Sequence, residues 1–222
     1  MGVAALEIRD LEVRLAAFVV LRGVSLEVPP GQTVGLVGRN GAGKTTTLKS
    51  IVGLVPVAAG RIRVAGRDLA AVAPHRRPAL GVGYLPEDRR LIGALTVEEN
   101  LLLPLWARGR GAASARLIEI CDLMPELPAL ARRRAGALSG GQQKLVALAR
   151  ALVTGTTLLL LDEPFEGLSP LLSGRLAEVI RSLRGVAVLV TESDLNRMRL
   201  LTDTVYTIER GEIVRDAGGP TG

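Results

Sequence analysis

Thr33-Val34-Gly35-Leu36-Val37, followed at once by Gly38-Arg39-Asn40-Gly41-Ala42-Gly43-Lys44-Thr45, is the stretch that decides how this chain folds. The first five residues are short, apolar and β-branched, as a strand buried on both faces should be. The next eight satisfy G-x4-G-K-[ST] and open a helix, which is the strand-loop-helix context this pattern demands. The glycines let consecutive backbone N–H groups curl around phosphate oxygens, and the helix N-terminus adds its positive dipole end. Lys44 is placed to neutralise β/γ-phosphate charge, Thr45 to ligate magnesium, and Thr46 to reach the α-phosphate. A Gly-rich turn without function is the bland alternative, and the flanking strand and helix argue against it.

Working outward, further buried strands are predicted at Val82 to Leu85, Thr157 to Leu161 and Val186 to Val190. Helices lie between the later ones, so the class is α/β with a mainly parallel sheet. Upstream, alternating apolar residues over Ala5 to Arg9, Leu11 to Leu15 and Val24 to Val28 predict antiparallel strands with one solvated face, ended by the turn Pro29-Pro30-Gly31. Between Pro86 and Leu138 the strand signal disappears. Helical stretches at Val97 to Ala107 and Ala113 to Met124, broken by Pro104, Pro125 and Pro128, predict a helical subdomain. Thr204 to Arg215 returns to strand pattern around Gly211, and the tail from Ala217 to Gly222 is expected to be loose.

A second carrier of chemistry is Thr157-Leu158-Leu159-Leu160-Leu161-Asp162-Glu163, an apolar strand ending abruptly in two carboxylates. They fall at the carboxyl edge of the sheet, beside the phosphate loop. Asp162 is placed to hold magnesium directly or through water, and Glu163 to orient and polarise a water for in-line attack. A third is Leu138-Ser139-Gly140-Gly141-Gln142, a capped helix start with Ser139 as N-cap and two glycines that permit close backbone approach.

Composition narrows the partners. The net charge of +6 admits nucleic acid, an acidic surface or a nucleotide, but five aromatics in 222 residues are poor material for base-stacking platforms, so no nucleic acid is expected. Nearly all the cations are arginine, the lysines being Lys44, Lys49 and Lys144, so each lysine position is informative. The greasiest run, Leu145 to Leu161, is interrupted by Arg150 and falls short of the roughly 20 residues that span a bilayer. Glu7, Arg9 and Asp10 arrive before an export signal could form, and Leu6 does not fit N-myristoylation. A lone Cys121 fits a reducing compartment. Together these predict a cytosolic location.

In this order and at these intervals, the phosphate loop, the LSGGQ stretch and LLLLDEP resemble the ATP-binding cassette (ABC) ATPases over nearly the whole chain. The resemblance implies one P-loop NTPase domain over 1–222, with an antiparallel β part at about 1–30 and 60–75 and an inserted helical subdomain at about 87–137. It implies ATP and Mg2+, hydrolysis of ATP, and a head-to-tail dimer in which Ser139, Gly140, Gly141 and Gln142 of one subunit close over nucleotide held by the other. The second subunit is an identical copy or a paralogue. The expected seat is the cytoplasmic face of the membrane, beside transmembrane permease subunits, with a solute-binding protein engaged indirectly.

Tyr84-Leu85-Pro86-Glu87-Asp88-Arg89-Arg90, Leu95 to Leu101 and Glu163-Pro164-Phe165-Glu166-Gly167-Leu168-Ser169-Pro170 are more narrowly similar to the ATPases of branched-chain amino acid importers. By that similarity Glu87 senses magnesium and faces the membrane subunit, while Arg89 and Arg90 are expected to be simply solvated. Three positions depart from the family. Ser193 stands where a switch histidine belongs, and the one histidine, His75, lies far upstream. Serine donates a hydrogen bond but carries no charge, so slow turnover is expected. Ser169 replaces an aspartate, and the aromatic that stacks on adenine is missing near Leu15, leaving Phe18 as either its substitute or a core residue.

Overall fold

The apolar residues of the first strand fall out of phase midway, at Leu6 and Ile8 and then at Leu11 and Val13. In the computed structural model, which describes residues 3–16, 18–106 and 111–217, a bulge resolves the mismatch. Asp10 adopts a left-handed φ of 48°, and all four residues stay buried. The two predicted strands are therefore one, β1 (Leu6–Leu15), and its partner β2 (Phe18–Val28) starts six residues earlier than the alternation suggests. With β4 (Ala59–Val64) and β5 (Arg67–Asp68) they form an antiparallel sheet in the order β2-β1-β4-β5.

The second sheet carries the phosphate loop. Among the described residues it has six strands: β3 (Thr33–Val37), β6 (Val82–Leu85), β7 (Leu158–Asp162), β8 (Ala187–Glu192), β9 (Val205–Glu209) and β10 (Glu212–Ala217). Their order is β10-β9-β3-β8-β7-β6, and every pairing is parallel except that of β10 with β9. Continuous apolar runs are what such a sheet requires, because alternate residues enter different cores. Leu158 and Leu160 pack with β1, β2 and α1 (Lys44–Val52), while Leu159 and Leu161 pack with the helices on the opposite face.

Those helices are α2 (Val97–Trp106), α3 (Gly111–Leu123), α4 (Leu127–Leu130), α5 (Gly140–Thr154) and α6 (Pro170–Ser182), with the short α7 (Leu195–Met198) against β3. Thr96 and Glu99 cap α2 reciprocally, each side chain accepting from the other's backbone N–H. Pro104 does not break this helix, contrary to expectation. Val97, Leu101 and Leu105 bury one face on both sides of it, and the chain is helical through residue 106. Pro128 sits in the first turn of α4, where its missing N–H leaves no bond unmade. Ala107 and residues 218–222 of the expected tail lie outside the described residues; Ala217 ends β10.

One glycine fixes how α5 meets the sheet. A Cβ on Gly83 in β6 would overlap the Ala151 carbonyl and come within 2.8 Å of Gly155 Cα, so the helix can lie this close only over glycine. The result places the start of α5 and the carboxyl ends of β3, β6, β7 and β8 at one edge of the molecule.

Candidate functional site

Lys44 begins α1 at that edge. Its N-cap, Gly43, has φ 114°, and a Cβ there would sit 2.6 Å from Leu21 Cδ2, so glycine meets both a backbone and a packing demand. Gly38 and Ala42 are buried, whereas Arg39, Asn40 and Gly41 are exposed at the tip of the loop. Lys44 is only 4% exposed. Its Nζ donates to the carbonyls of Gly38 (2.7 Å) and Arg39 (3.2 Å) and pairs with Glu163 Oε1 at 3.0 Å. A cavity of about 330 Å³ opens over the loop, lined by Asn40, Gly41, Gly43, Lys44, Thr45, Thr46, Glu87, Glu163 and Glu166.

Asp162 ends β7 fully buried. Thr45 Oγ1 donates to its Oδ1 at 3.0 Å, Thr191 Oγ1 to the same oxygen at 2.8 Å, and Tyr84 Oη to Oδ2 at 3.3 Å. Burial pushes this carboxyl above the usual carboxylate range; the three hydroxyls pull it back and the neighbouring Glu163 charge raises it further. The same burial, with Asp162 alongside, pushes the Tyr84 phenol upward.

Glu163 stands in the left-handed region at φ 44°, a conformation that costs about 1–2 kcal/mol for a side chain of this size. Five contacts hold it there. Its N–H donates to the Thr191 carbonyl and hydroxyl, both at 3.2 Å, and its own carbonyl accepts from Lys144 Nζ at 2.9 Å. Its carboxylate meets Lys44 and accepts from Ser193 Oγ at 3.4 Å. Ser193 itself is exposed, beside a wider groove of about 1030 Å³ on the far side of the loop. Glu87, exposed in the loop after β6, has a raised carboxyl through partial desolvation and the charges of Glu166, Asp162 and Glu163.

The Ser139 to Gln142 turn caps α5 with a full capping box, Ser139 Oγ accepting from Gln142 N at 3.3 Å and Gln142 Oε1 accepting from Ser139 N at 3.1 Å. None of Ser139, Gly140, Gly141 or Gln142 lines the phosphate-loop cavity of its own chain. Phe18 is 76% exposed at the start of β2, which rules out its reading as a core residue. Arg89 is not simply solvated: it is half-buried, donates to Gln143 Oε1 at 3.1 Å and sits against Gly140. Arg90 does lie in solvent, paired with Asp88. His75 is exposed, in a 3-10 turn. Ser169 caps α6, its hydroxyl accepting from Leu172 N at 3.4 Å.

Sequence reasoning missed Thr191, which ties the Asp162 carboxylate to the Glu163 backbone. It also missed Glu192, fully buried at the end of β8. There Oε1 accepts from Phe165 N at 3.2 Å, Oε2 has no hydrogen-bond partner among the described residues, and burial pushes the acid up to about 7. Both close β8 as polar residues after an apolar run, a local signal that marks a strand end without showing which residues they meet.

A glycine-cradled helix start facing two carboxylates across the carboxyl edge of a parallel sheet defines the phosphate-loop class of nucleotide-binding domains. Within that class, a family model described as "ABC transporter" matches residues 21–166, and the chain belongs to that family. The high-affinity branched-chain amino acid transport ATP-binding protein BraG of Pseudomonas aeruginosa is 38% identical over 196 residues, covering 87% of this chain and 84% of BraG. The lipopolysaccharide export system ATP-binding protein LptB of Escherichia coli is 36% identical over 206 residues, 91% of this chain and 85% of LptB. Among solved structures, the ADP conformation of MJ1267, an ATP-binding cassette of an ABC transporter, matches with a TM-score of 0.83 at 27% identity, covering 97% of this chain and 91% of that one. The chain is thus an ATP-binding subunit of an ABC transporter and an ATPase, and no helix among its described residues is long and apolar enough to cross a membrane.

Proposed function

We propose that this subunit drives uptake of branched-chain or other amino acids, hydrolysing ATP at the cytoplasmic face of the membrane as half of a head-to-tail ATPase pair. The observation that carries the catalytic part is the convergence of Lys44, Thr45 and Glu163 on one cavity, with Asp162 bonded to Thr45 just behind its wall. The backbone of residues 38 to 43 wraps the phosphates and Thr46 reaches the α-phosphate. Lys44, already desolvated, exchanges its contact with Glu163 for phosphate oxygens, which frees that carboxylate to orient the attacking water. Thr45 and Asp162 would hold magnesium, with Glu87 facing the same cavity from its loop; their oxygen donors suit a hard cation. The ion would supply positive charge against the phosphate tail there. Ser193 supplies a neutral hydrogen bond on the far side of the γ-phosphate, so turnover is slow.

The Ser139 to Gln142 turn is exposed and absent from its own chain's cavity, which supports closure onto nucleotide in a second subunit, a copy or a paralogue. A groove of about 660 Å³ between Leu54, Tyr84, Pro104 and Arg150 gives the membrane permease a place to dock next to the Glu87 loop. Similarity to BraG supports the amino-acid cargo, delivered to the permease by a solute-binding protein. Similarity to LptB keeps a lipid-linked cargo as the second reading. Exposed Ser193 favours a weakly hydrolysing partner in a heterodimer as the alternative ATPase reading.

Single-turnover hydrolysis in the reconstituted complex tests the catalytic assignment. Glu163→Gln is expected to slow it by about 10²–10⁴-fold, the usual worth of a general base. A rate equal to wild type removes Glu163 from the role. Transport assays in vesicles loaded with branched-chain amino acids or with lipopolysaccharide separate the two cargoes.

A further inference from the structure

Lys144 is the one lysine that the phosphate-binding reading does not use and that the fold nonetheless hides: its residue is 1% exposed, while Lys49 remains partly accessible on α1. It lies on α5, five residues beyond Ser139, among Leu145, Val146 and Leu148. Burying an ammonium costs several kcal/mol unless it is well bonded, so an apolar residue would serve packing better at this position. The acceptors of Lys144 are two carbonyl oxygens, Glu163 O at 2.9 Å and Glu87 O at 3.4 Å. These belong to two of the three glutamates that line the phosphate-loop cavity, the ones that follow β7 and β6. At Glu163 the bond fixes the peptide that follows a left-handed φ of 44°, the backbone feature that sets where its carboxylate points. Burial, and after it the charge of Arg89, pulls the ammonium below the usual lysine range, while the charges of Glu166, Glu192 and Asp162 oppose that shift.

We propose that Lys144 is a positioning residue for hydrolysis: from the helix that begins at the Ser139 to Gln142 turn, its buried ammonium holds the main chain of Glu163 and Glu87 together. A shift of α5 therefore moves the base and the magnesium-sensing loop as one unit. This inference rests on the reading of Glu163 as the base.

The test uses the full-length chain in its membrane complex and measures the single-turnover rate and the Kd for Mg-ATP. Lys144→Met is expected to slow hydrolysis by about 10²-fold, the scale of an ångström-sized misplacement, with Kd within about twofold of wild type. Lys144→Gln, a shorter neutral donor, should fall between the two, about tenfold below wild type. In a Glu163→Gln background Lys144→Met should add less than about twofold, because residues acting through one group are not additive. A wild-type rate in Lys144→Met or Lys144→Gln overturns the inference, as does an undiminished further loss in the Glu163→Gln background. Should Lys144→Met not fold, the Lys144→Gln rate decides alone. If Glu163→Gln is itself as fast as wild type, the reading of the base fails and this inference with it; if Glu163→Gln is slow and Lys144→Met is fast, only the role of Lys144 fails.

Discussion

Replacing Ser193 by histidine should accelerate this ATPase. The serine hydroxyl lies 3.4 Å from Glu163 Oε2 in an exposed position, so it offers a weak neutral hydrogen bond beside the proposed base. The adjoining groove of about 1030 Å³, lined by Arg39, Gly41, Ser193 and Thr207 among others, has room for an imidazole. A neutral hydrogen bond contributes about 1 kcal/mol net and one to a charged group about 1.5–3 kcal/mol. The difference, roughly 1.4 kcal/mol, is about tenfold in rate. Ser193→His should therefore raise kcat about tenfold while leaving the Kd for Mg-ATP and the thermal midpoint nearly unchanged. The protonated ring carries the gain. It should be full below the ordinary imidazole pKa of about 6.5, extended upward somewhat by Glu163, and fade as pH rises through that range. Steady-state phosphate release from pH 6 to 9 measures both. A kcat that does not rise at any pH, in a variant that still binds Mg-ATP normally, refutes the idea that the missing cation limits turnover.

Glu192→Gln should flatten the dependence of stability on pH. With the folded carboxyl at about 7 against 4.5 unfolded, the folded state holds its proton longer. Wild type therefore loses on the order of 3 kcal/mol as pH rises from below 4.5 through 7. Thermal midpoints at pH 5 and pH 8 should differ less in the variant, though the raised Asp162 carboxyl keeps its own share. Phe18→Ala, which removes a ring that is 76% exposed, should weaken ATP by about fivefold to tenfold and bring ATP and GTP affinities closer together if the ring meets adenine. Equal affinities before and after would assign Phe18 to another surface role. Gly83→Ala should cost about 2 kcal/mol or more by forcing α5 off the sheet, read as a lower denaturant midpoint, because a Cβ there meets backbone atoms that have nowhere to go.

The parallel sheet and the phosphate loop were readable from local pattern, since a strand buried on both faces has to be apolar throughout and the loop needs its glycines. The bulge at Asp10 also left a trace in the phase change between Ile8 and Leu11, although the early start of β2 did not, because Phe18, Val19 and Val20 break alternation. Proline was over-read. Pro104 lies inside α2, whose apolar face packs on the core at Val97, Leu101 and Leu105, and that burial outweighs the bond the proline removes. The motif residues came one stretch at a time, but their support did not. Thr191, Tyr84 and Lys144 reach Asp162 and Glu163 from β8, β6 and α5, contacts made by chain crossings that no local pattern encodes. Arg89 was misplaced for the same reason: its partner Gln143 lies 54 residues away.

Magnesium-dependent binding of ATP to the wild-type chain and to Lys44→Ala is the most direct measurement of the convergence at this site, by titration calorimetry with and without chelator. Wild type should bind ATP more tightly with magnesium than with chelator, and Lys44→Ala, folded as judged by its thermal midpoint, should lose about a hundredfold in affinity. Equal affinity in the two proteins, or indifference to magnesium in wild type, would mean that Lys44, Thr45 and Asp162 do not meet on a nucleotide.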